Sequence, residues 1–562
     1  MPVTPMMQQY LDYKAQFADA ILMFRVGDFF EMFYDDAKTV SAELELTLTG
    51  KDCGEEERAP MCGVPFHAVD NYIYRLVEHG HKVAVCDQVE DPALAKGLVK
   101  REITRIVTPG TVIDPDAIAG NKNNYLAAVS AEGDECAAAF IDISTGDISA
   151  VAFRSLPGAK ADRRRLINEL ETYKPSELLL DFRLADEPEI SDYVKTRLPA
   201  LTWENQTARF DREKAEAAVS AAFRDQLTEE QAADAPLVCS IGALLDYIRE
   251  TQKLDVSYLK ALSVYTEGVF MQIDAATRRN LELTETMRSR EKKGSLLWVL
   301  DSTETSMGAR LLRKWVELPL MSVSDINTRQ SAVAELYGST VMRGDLGEEL
   351  KAVLDIERLM SKVVYKSASA RDLRAISSTL AAIPRVKAAL KDASSSELRH
   401  IREELDELGD VRGLIDRSIV DEPPFLIREG GMIRAGYNEE VDRLKSIMTG
   451  GKDIIGTIEA RERERTGIPK LKVGYNHVFG YYIEISRVNA DKVPQDYIRK
   501  QTLVNSERYI TPELKEAENT ILGASDRVIA LEYDLFCEVR DRVAAEVSRI
   551  QRSASLLALL DV

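Results

Sequence analysis

The sequence predicts a multidomain protein: two α/β domains, then a mainly α-helical domain that carries a β-rich insert. The 562 residues are too many for one hydrophobic core, so several domains are expected. Short apolar runs alternate with helical segments up to about residue 240, and a helical spacing of apolar residues dominates beyond it. Within the helical region, residues 450–511 show strand-like alternation instead.

The first α/β domain is predicted over residues 1–113. Apolar, β-compatible runs at residues 21–26, 83–86 and 103–107 indicate strands, and Pro109-Gly110 closes the unit.

A second α/β domain is predicted over residues 122–240, after a linker rich in Asp, Asn and Gly. The sequence indicates strands at 125–129, 137–143, 147–153 and 177–181, with a helix at 163–173.

The helical domain is predicted in two parts, residues 241–449 and 512–562, on either side of the insert. Apolar residues from Ile521 to Ile550 recur at steps of three, four and seven, which predicts one helix of about 30 residues. A helix of that length suits a lever or a strut.

Charge is distributed unevenly. The chain carries a net charge of −20, which argues against a protein that coats DNA through charge alone. Residues 450–511, however, hold eleven Lys and Arg against eight Asp and Glu, a local charge of +3. This insert is therefore the best candidate for phosphate contact, through Lys470, Lys472, Asn476, Lys500 and Asn505. The alternative is a solvated face, above all at residues 461–465, where alternating signs can pair with each other.

A smaller basic edge lies in the first domain. Lys96, Lys100, Arg101 and Arg105 stand within ten residues, with Glu102 as the acidic residue among them. We take Lys96, Lys100 and Arg105 as further candidates for contact with a DNA backbone.

The six cysteines are scattered without a CxxC pair, which indicates a reduced, cytosolic protein. Cys62, His67 and Cys86 match no common zinc spacing, so small buried hydrophobic residues are the favoured interpretation of these cysteines. The first residues do not resemble a signal peptide, and no apolar run approaches the length of a membrane span.

Nine segments follow one another in a familiar order. They are TPMMQQY from Thr4, RVGDFFEMF from Arg25, GVPFHAV from Gly63, RIVTPGT from Arg105, RSREKKGSLLWVL from Arg288, MGARLLR from Met307, GYNEE from Gly436, RERTG from Arg463 and ERY from Glu507. Together they resemble the MutS family of bacterial mismatch-repair sensors, from residue 4 to residue 562.

The resemblance implies a mismatch-recognition domain, a connector with an RNase-H-like fold, a helical core with levers, and a clamp formed by the insert. It implies that Phe29 is an aromatic wedge and that Glu31 is its acidic partner at a mismatched or looped duplex. It also implies a MutL-type repair partner, a homodimer in the intact family, and a place in the bacterial cytoplasm at the nucleoid. Read without the family, Phe29, Phe30 and Phe33 are a core stripe at the start of a helix.

A phosphate-binding loop is missing from the sequence. No GxxxxGK[ST] motif occurs, and Gly450-Gly451-Lys452-Asp453 lacks both the hydroxyl residue and the spacing. In the family an ATPase domain follows the long lever helix, so we expect this chain to be truncated before it. Mg-ATP is then expected only for the intact protein, and no catalytic residue, metal or cofactor is expected here.

Two other functions stay open at this point. Asp142 and Asp181 lie on or beside predicted strands, as the metal-binding carboxylates of RNase-H-like nucleases do. Alternatively, the chain is a scaffold that meets repair proteins and holds little DNA by itself.

Overall fold

The computed structural model describes residues 3–54, 57–90, 97–114, 117–154, 163–185, 187–197, 202–205, 207–253, 258–266, 268–426, 429–476 and 480–562. The chain divides into two compact units. The first comprises Met1–Ser367, Ser378–Leu408 and Ala545–Val562, and the second comprises Ala368–Ser377 and Gly409–Ala544. In the described part, no helix combines the length and the apolar character needed to cross a membrane.

The first domain contains α1 (Pro5–Gln16), β1 (Ala20–Val26), β2 (Phe29–Phe33), α2 (Tyr34–Leu44), β3 (Thr49–Lys51), β4 (Ala59–Pro65), α3 (Val69–Glu78), β5 (Lys82–Gln88) and β6 (Arg101–Val107). Its six strands form one mixed sheet in the order β3-β4-β2-β1-β5-β6. β1 and β5 are parallel, and all other neighbours are antiparallel. The three strands predicted from the sequence are confirmed.

Both faces of this sheet are covered. Phe30 and Met32 point into a core that includes residues of α2 and α3. Phe33 points the other way and packs with Met7 and Tyr10 of α1. Because successive strand residues point to opposite faces, Phe29 and Glu31 lie on the same face as Phe33.

The connector contains β7 (Tyr125–Glu132), β8 (Glu135–Asp142), β9 (Asp147–Phe153), α4 (Arg163–Tyr173), β10 (Glu177–Leu180), α5 (Phe182–Ala185), α6 (Pro188–Arg197), β11 (Thr202–Asn205), α7 (Arg212–Phe223), α8 (Glu229–Ala233), α9 (Ala235–Gln252) and β12 (Ser263–Tyr265). The sheet order is β11-β10-β7-β8-β9-β12. An antiparallel β7-β8-β9 meander with β10 and β11 added parallel beside β7 is the RNase-H-like arrangement.

The connector sheet continues past residue 240, where we place its end from the sequence. That boundary falls inside α9, which packs on β7 and β8, and β12 adds a sixth strand beside β9. A helix that covers a sheet has the same apolar period as a helix in a bundle, so the pattern alone does not separate the two.

A buried carboxylate joins the first domain to the connector. Glu177, at the start of β10, is 1% exposed. Its carboxylate accepts hydrogen bonds from Thr108 Oγ1 at 2.5 Å, from the Gly110 amide at 3.0 Å, and from the Tyr247 hydroxyl. A Cβ at Gly110 would lie 2.8 Å from Cβ of Glu177, so only glycine fits there. Burial raises the pKa of Glu177 above its ordinary value, against the effect of these hydrogen bonds.

The helical core of the first unit contains α10 (Ala275–Asn280), α11 (Leu296–Leu300), α12 (Ser306–Glu317), α13 (Val323–Gly338), α14 (Thr340–Leu350), α15 (Ile356–Val364), part of α16 (Ala370–Leu380), α17 (Ile383–Ala389), α18 (Ser396–Glu404) and, from the end of the chain, a helix over Val547–Asp561.

Two buried arginines bind the predicted linker to this core. Arg358 of α15, which has no exposed surface, donates to the backbone carbonyls of Ile118, Ala119 and Lys122. Arg310 of α12 donates to the carbonyl of Gly120 at 2.8 Å and forms ion pairs with Asp355 and Glu357. Residues 118–122, just before the connector, are therefore held against the helical core.

The second unit contains α19 (Gly409–Ser418), α20 (Glu439–Thr466), β13 (Lys472–Asn476), β14 (Gly480–Ser486), β15 (Ile498–Thr502), β16 (Ser506–Ile510) and α21 (Pro512–Ala544). α20 and α21 pack together, with Leu444 against Ala524 and Val528. Between them the four strands form an antiparallel sheet in the order β13-β14-β16-β15.

Two features of this region differ from the sequence prediction. The boundary at residue 450 falls inside α20, because the helix runs through Gly450 and Gly451 although glycine disfavours a helix interior. The single helix predicted across residues 521–550 is wrong: α21 ends at Ala544, and the last helix, α22, begins at Val547. No Gly or Pro marks this break, and the apolar spacing continues across it.

The variant Glu177→Gln tests the buried contact between the first domain and the connector through the pH dependence of stability. A raised pKa in the folded protein means that the stability is fully present below the ordinary carboxyl pKa and is lost as pH rises through the folded pKa. From pH 4 to pH 8 the wild type should therefore lose unfolding free energy relative to the neutral Gln variant. The expected loss is about 1.4 kcal/mol for each unit by which folding raises the pKa. Denaturant unfolding at several pH values measures it.

The matched control is Glu135→Gln, which changes an exposed carboxylate of the same sheet. Parallel pH profiles for wild type and Glu177→Gln would show that Glu177 does not govern this pH dependence.

Candidate nucleic-acid interface

A tight turn presents Phe29 at the start of β2. Gly27 and Asp28 join β1 to β2, so that Val26 lies opposite Phe29. Gly27 has φ +58°, a conformation that glycine adopts without steric cost. On its other side Phe29 lies opposite Pro65 of β4. The backbone of Phe29 is thus fixed within the sheet while 48% of the residue is exposed.

The three phenylalanines of β2 have different surroundings. Phe30 is 3% exposed and Phe33 is fully buried. The core interpretation is therefore right for these two residues and wrong for Phe29. It is also wrong about the local structure, because the segment is a strand and not the start of a helix.

Glu31 forms an ion pair with Lys51, the last residue of β3. The side chain of Glu31 is 14% exposed and that of Lys51 is 27% exposed. The Lys51 ammonium also lies 5.7 Å from the centre of the Phe33 ring, so its stem follows the face that carries Phe29 and Glu31. Residue 63, opposite Glu31 on β4, is glycine, and a Cβ at this position would lie 3.6 Å from Cγ of Glu31.

Sequence reasoning missed Lys51. It stands twenty residues from Glu31 in a segment for which no strand is predicted, so only the strand order places the two side chains together.

A second exposed aromatic ring stands beside the same turn. Phe66 follows β4, and its amide donates to the carbonyl of Asp28 at 3.0 Å. The guanidinium of Arg25 lies 4.1 Å from the centre of the Phe66 ring, which holds a 40% exposed side chain in place. This residue was also missed, although it lies in a segment that carries the family resemblance.

The basic edge of the first domain is only partly open to solvent. Lys96 lies outside the described residues. Lys100 is exposed and pairs with Glu102 at 2.6 Å. Arg101 is buried and donates to the carbonyl of Arg25, which makes it structural. Arg105 forms an ion pair with Asp70 that raises the pKa of its guanidinium although burial opposes this. Of Lys100 and Arg105, Lys100 is therefore the stronger candidate for contact with a DNA backbone.

The lysine candidates on and beside the clamp sheet, which is formed by β13, β14, β15 and β16, are exposed more uniformly. Lys470 lies in the turn before β13, and Lys472 begins that strand. Lys500 occupies the irregular position of β15, where the pairing with β16 shifts between residues 499 and 501. All three lysines are exposed, and among the described residues none of them lies within ion-pair distance of a carboxylate.

The two asparagine candidates lie at strand ends. Asn476 ends β13 opposite the first residue of β14, and Asn505 lies exposed in the turn between β15 and β16. In contrast, the arginines of residues 461–465 form ion pairs, but with carboxylates outside that run: Arg461 pairs with Glu513, Arg463 with Glu459 and Arg465 with Asp496. Within the run, Arg461 and Arg465 approach Glu462 at 3.8 Å and 3.6 Å.

The carboxylates of the nuclease alternative are saturated by protein donors. Asp142 is buried and accepts from Asn123, from the Asn124 amide and from both the amide and the hydroxyl of Ser144. Asp181 is buried against Arg183 and Ser130. Across the described ranges, no cluster of His, Cys, Asp or Glu has the arrangement of a metal site. Cys62, one of the imagined zinc ligands, is buried, and its thiol lies 3.5 Å from the carbonyl of Ala37.

Three family models match the chain in succession. The model described as MutS domain I matches residues 4–116, MutS domain II matches residues 124–260, and MutS domain III matches residues 276–562.

Curated relatives match over the whole chain. The DNA mismatch repair protein MutS of Ruminiclostridium cellulolyticum is 50% identical over 560 residues, which cover 100% of this chain and 64% of that protein. The protein of the same description from Acetivibrio thermocellus is 49% identical over 562 residues, again 64% of its length. That from Clostridium perfringens is 45% identical over 565 residues, or 61% of its length. The chain thus spans somewhat less than two thirds of these relatives.

Substitutions at neighbouring positions should separate the exposed ring from the buried one. Phe30→Ala removes a buried ring and leaves a cavity, so local stability should fall by about 3–5 kcal/mol. Phe29→Ala should change it by less than about 0.5 kcal/mol, because the ring is half exposed. Amide hydrogen exchange in β1, β2 and β4 measures both values. Comparable losses in the two variants would contradict the described orientation of β2.

Proposed function

Since the chain belongs to the MutS family, we propose that it recognises mispaired or looped duplex DNA for mismatch repair. One observation carries the proposal. Phe29 is a half-exposed ring on a backbone fixed by two strands, and an ionisable partner, Glu31, stands two residues away on the same face. A rigid aromatic side chain is the kind of group that enters between bases.

The discrimination rests on the deformability of the duplex. A ring that enters the minor groove unstacks a base step and kinks the helix, at a cost of a few kcal/mol. The cost is lowest where base pairing is already defective. Phe29 therefore selects lesions without reading particular bases.

Glu31 adds a second source of discrimination. Its carboxylate accepts a hydrogen bond from a displaced base, or donates one to a ring nitrogen when it is protonated. An ordinary duplex offers no such partner, so Glu31 gains no hydrogen bond from it and only the ion pair with Lys51 offsets the repulsion of nearby phosphates.

The exposed lysines of the clamp sheet supply affinity without sequence preference. Lys470, Lys472 and Lys500 carry charges that are free to replace the counterions of phosphates. Asn476 and Asn505 offer amide groups at the strand ends, as hydrogen-bond partners for the same backbone.

The remaining partners and the ATP-dependent step belong to the same proposal. We propose that the protein acts with a MutL-type repair protein and with a second copy of itself. Its proposed location is the cytoplasm, in association with the nucleoid. These 562 residues contain no GxxxxGK[ST] loop, so nucleotide hydrolysis is assigned to the intact family protein and not to this chain.

Phe29→Ala tests the wedge. Wild type should bind a G·T mismatch and a one-base loop more tightly than the matching homoduplex, and the variant should lose this preference because the stacking ring is gone. Fluorescence anisotropy with the three duplexes at one salt concentration measures the ratios. A wild type that binds all three equally would reject the wedge, and no binding at all would favour the scaffold alternative.

The salt dependence of binding tests the clamp. Replacing Lys470, Lys472 or Lys500 by Met should lower the slope of log K against log salt by about 0.9 for each lost phosphate contact. The effect should be equal for all three duplexes, because phosphates carry no information about the lesion. Arg461→Met is the control, since Glu513 already holds that guanidinium. Slopes that stay unchanged in all three lysine variants would place the DNA elsewhere.

A further inference from the structure

The ion pair between Glu31 and Lys51 adds a residue of β3 to the site formed by Phe29 and Glu31. Lys51 lies outside the sequence motif that contains those two residues. We infer that Lys51 is a specificity-determining residue that exchanges partners. Its ammonium stays with Glu31 on ordinary duplex and moves to a DNA phosphate when Glu31 turns to a displaced base. This inference rests on the proposed function and extends it to a residue of β3.

Lys51 is the movable counter-ion of Glu31. Its side chain reaches solvent over 27% of its surface, and its stem lies along the face that carries Phe29. Arg101 also acts on Glu31 electrostatically. Its guanidinium, however, is buried and donates to the carbonyls of Arg25 and Val99 and to Gln9. Arg101 therefore cannot follow the DNA, whereas a lysine on a flexible stem can.

The surroundings of Glu31 favour a closed pair unless a base replaces the lysine. The side chain of Glu31 is only 14% exposed, so a bare carboxylate at this position is poorly hydrated. Approaching phosphates add repulsion, and an ordinary duplex brings no donor to offset it. On such a duplex the lowest free energy keeps Lys51 on Glu31, where its charge is neutralised and makes no phosphate contact.

A displaced base changes this balance. Opposite Glu31 stands Gly63 of β4, so no Cβ occupies the position 3.6 Å from Cγ of Glu31, and a hydrogen-bonding group approaches the carboxylate from this side. Once the carboxylate is bound to the base, moving the Lys51 ammonium from Glu31 to a phosphate lowers the free energy, because the carboxylate and the ammonium each keep a partner. The lesion complex then holds one more phosphate contact than the homoduplex complex.

That difference is measurable as ionic-strength dependence. Each phosphate neutralised by a lysine adds about 0.9 to the slope of log K against log salt on duplex DNA. Wild type should therefore show a steeper slope on the G·T mismatch and on the one-base loop than on the homoduplex.

Lys51→Met removes the charge and keeps the apolar stem. It should lower the slope by about 0.9 on the two lesion duplexes and leave the homoduplex slope unchanged. Lys51→Arg should retain the steeper lesion slope. Lys38→Met is the matched control, because Lys38 is an exposed lysine of α2 in the same domain and is paired with Asp35. This control should change no slope.

Glu31→Gln tests the other half of the pair. It frees Lys51 on every duplex, so the homoduplex slope should steepen by about 0.9, and the Lys51→Met/Glu31→Gln double variant should return it to the wild-type value.

The outcomes separate the possible roles. Equal losses of slope on all three duplexes in Lys51→Met would make Lys51 an ordinary phosphate contact, and no loss on any duplex would make the ion pair structural. Either result overturns the exchange while the lesion preference of wild type stands. A wild type without lesion preference overturns the proposed function, and the exchange with it, because no displaced base is then bound.

Discussion

The two-residue period of a β-strand is the constraint from which the organisation of the wedge site follows. β2 is hydrogen-bonded on both sides, to β1 and to β4, so its side chains have no freedom to rotate between faces. Phe30 and Met32 bury their side chains in one core, and this forces Phe29, Glu31 and Phe33 onto the opposite face. Phe33 is covered by α1, whereas Phe29 at the turn is not. Shifting the register by one residue would bury Phe29 and expose Phe30.

Much of the fold is readable from local pattern because its elements are stabilised locally. Helix α4 over residues 163–173 agrees with its prediction at both ends, and the strands predicted in the first two domains differ from the observed bounds by three residues at most. Strands β2, β3, β4, β11 and β12 have no counterpart among the predictions. The boundaries between domains are harder to predict from the sequence. The apolar helix α9 covers a sheet, and α20 continues through two glycines, so neither the period of a helix nor the presence of glycine reveals what the segment packs against.

The sequence predicts only part of the site, because some of its contacts depend on the arrangement of the strands. Phe29 and Glu31 lie two residues apart within one family motif, so the sequence identifies them as candidates. Lys51 reaches Glu31 through the strand order β3-β4-β2, which is a property of the sheet and leaves no local signal. The partners of Arg101 and Arg105 also leave no signal in the sequence. The sequence shows these two arginines only as part of a basic edge, whereas in the fold Arg101 bonds the carbonyl of Arg25 and Arg105 pairs with Asp70.

The arginine contacts of the linker have a bearing on motion. Arg358 is completely enclosed and bonds three backbone carbonyls of the chain between the first domain and the connector. If the linker moved away, a guanidinium without access to water would lose those acceptors together, at a cost of several kcal/mol. Arg358 thus acts as an anchor that ties residues 118–122, just before the connector, to α15.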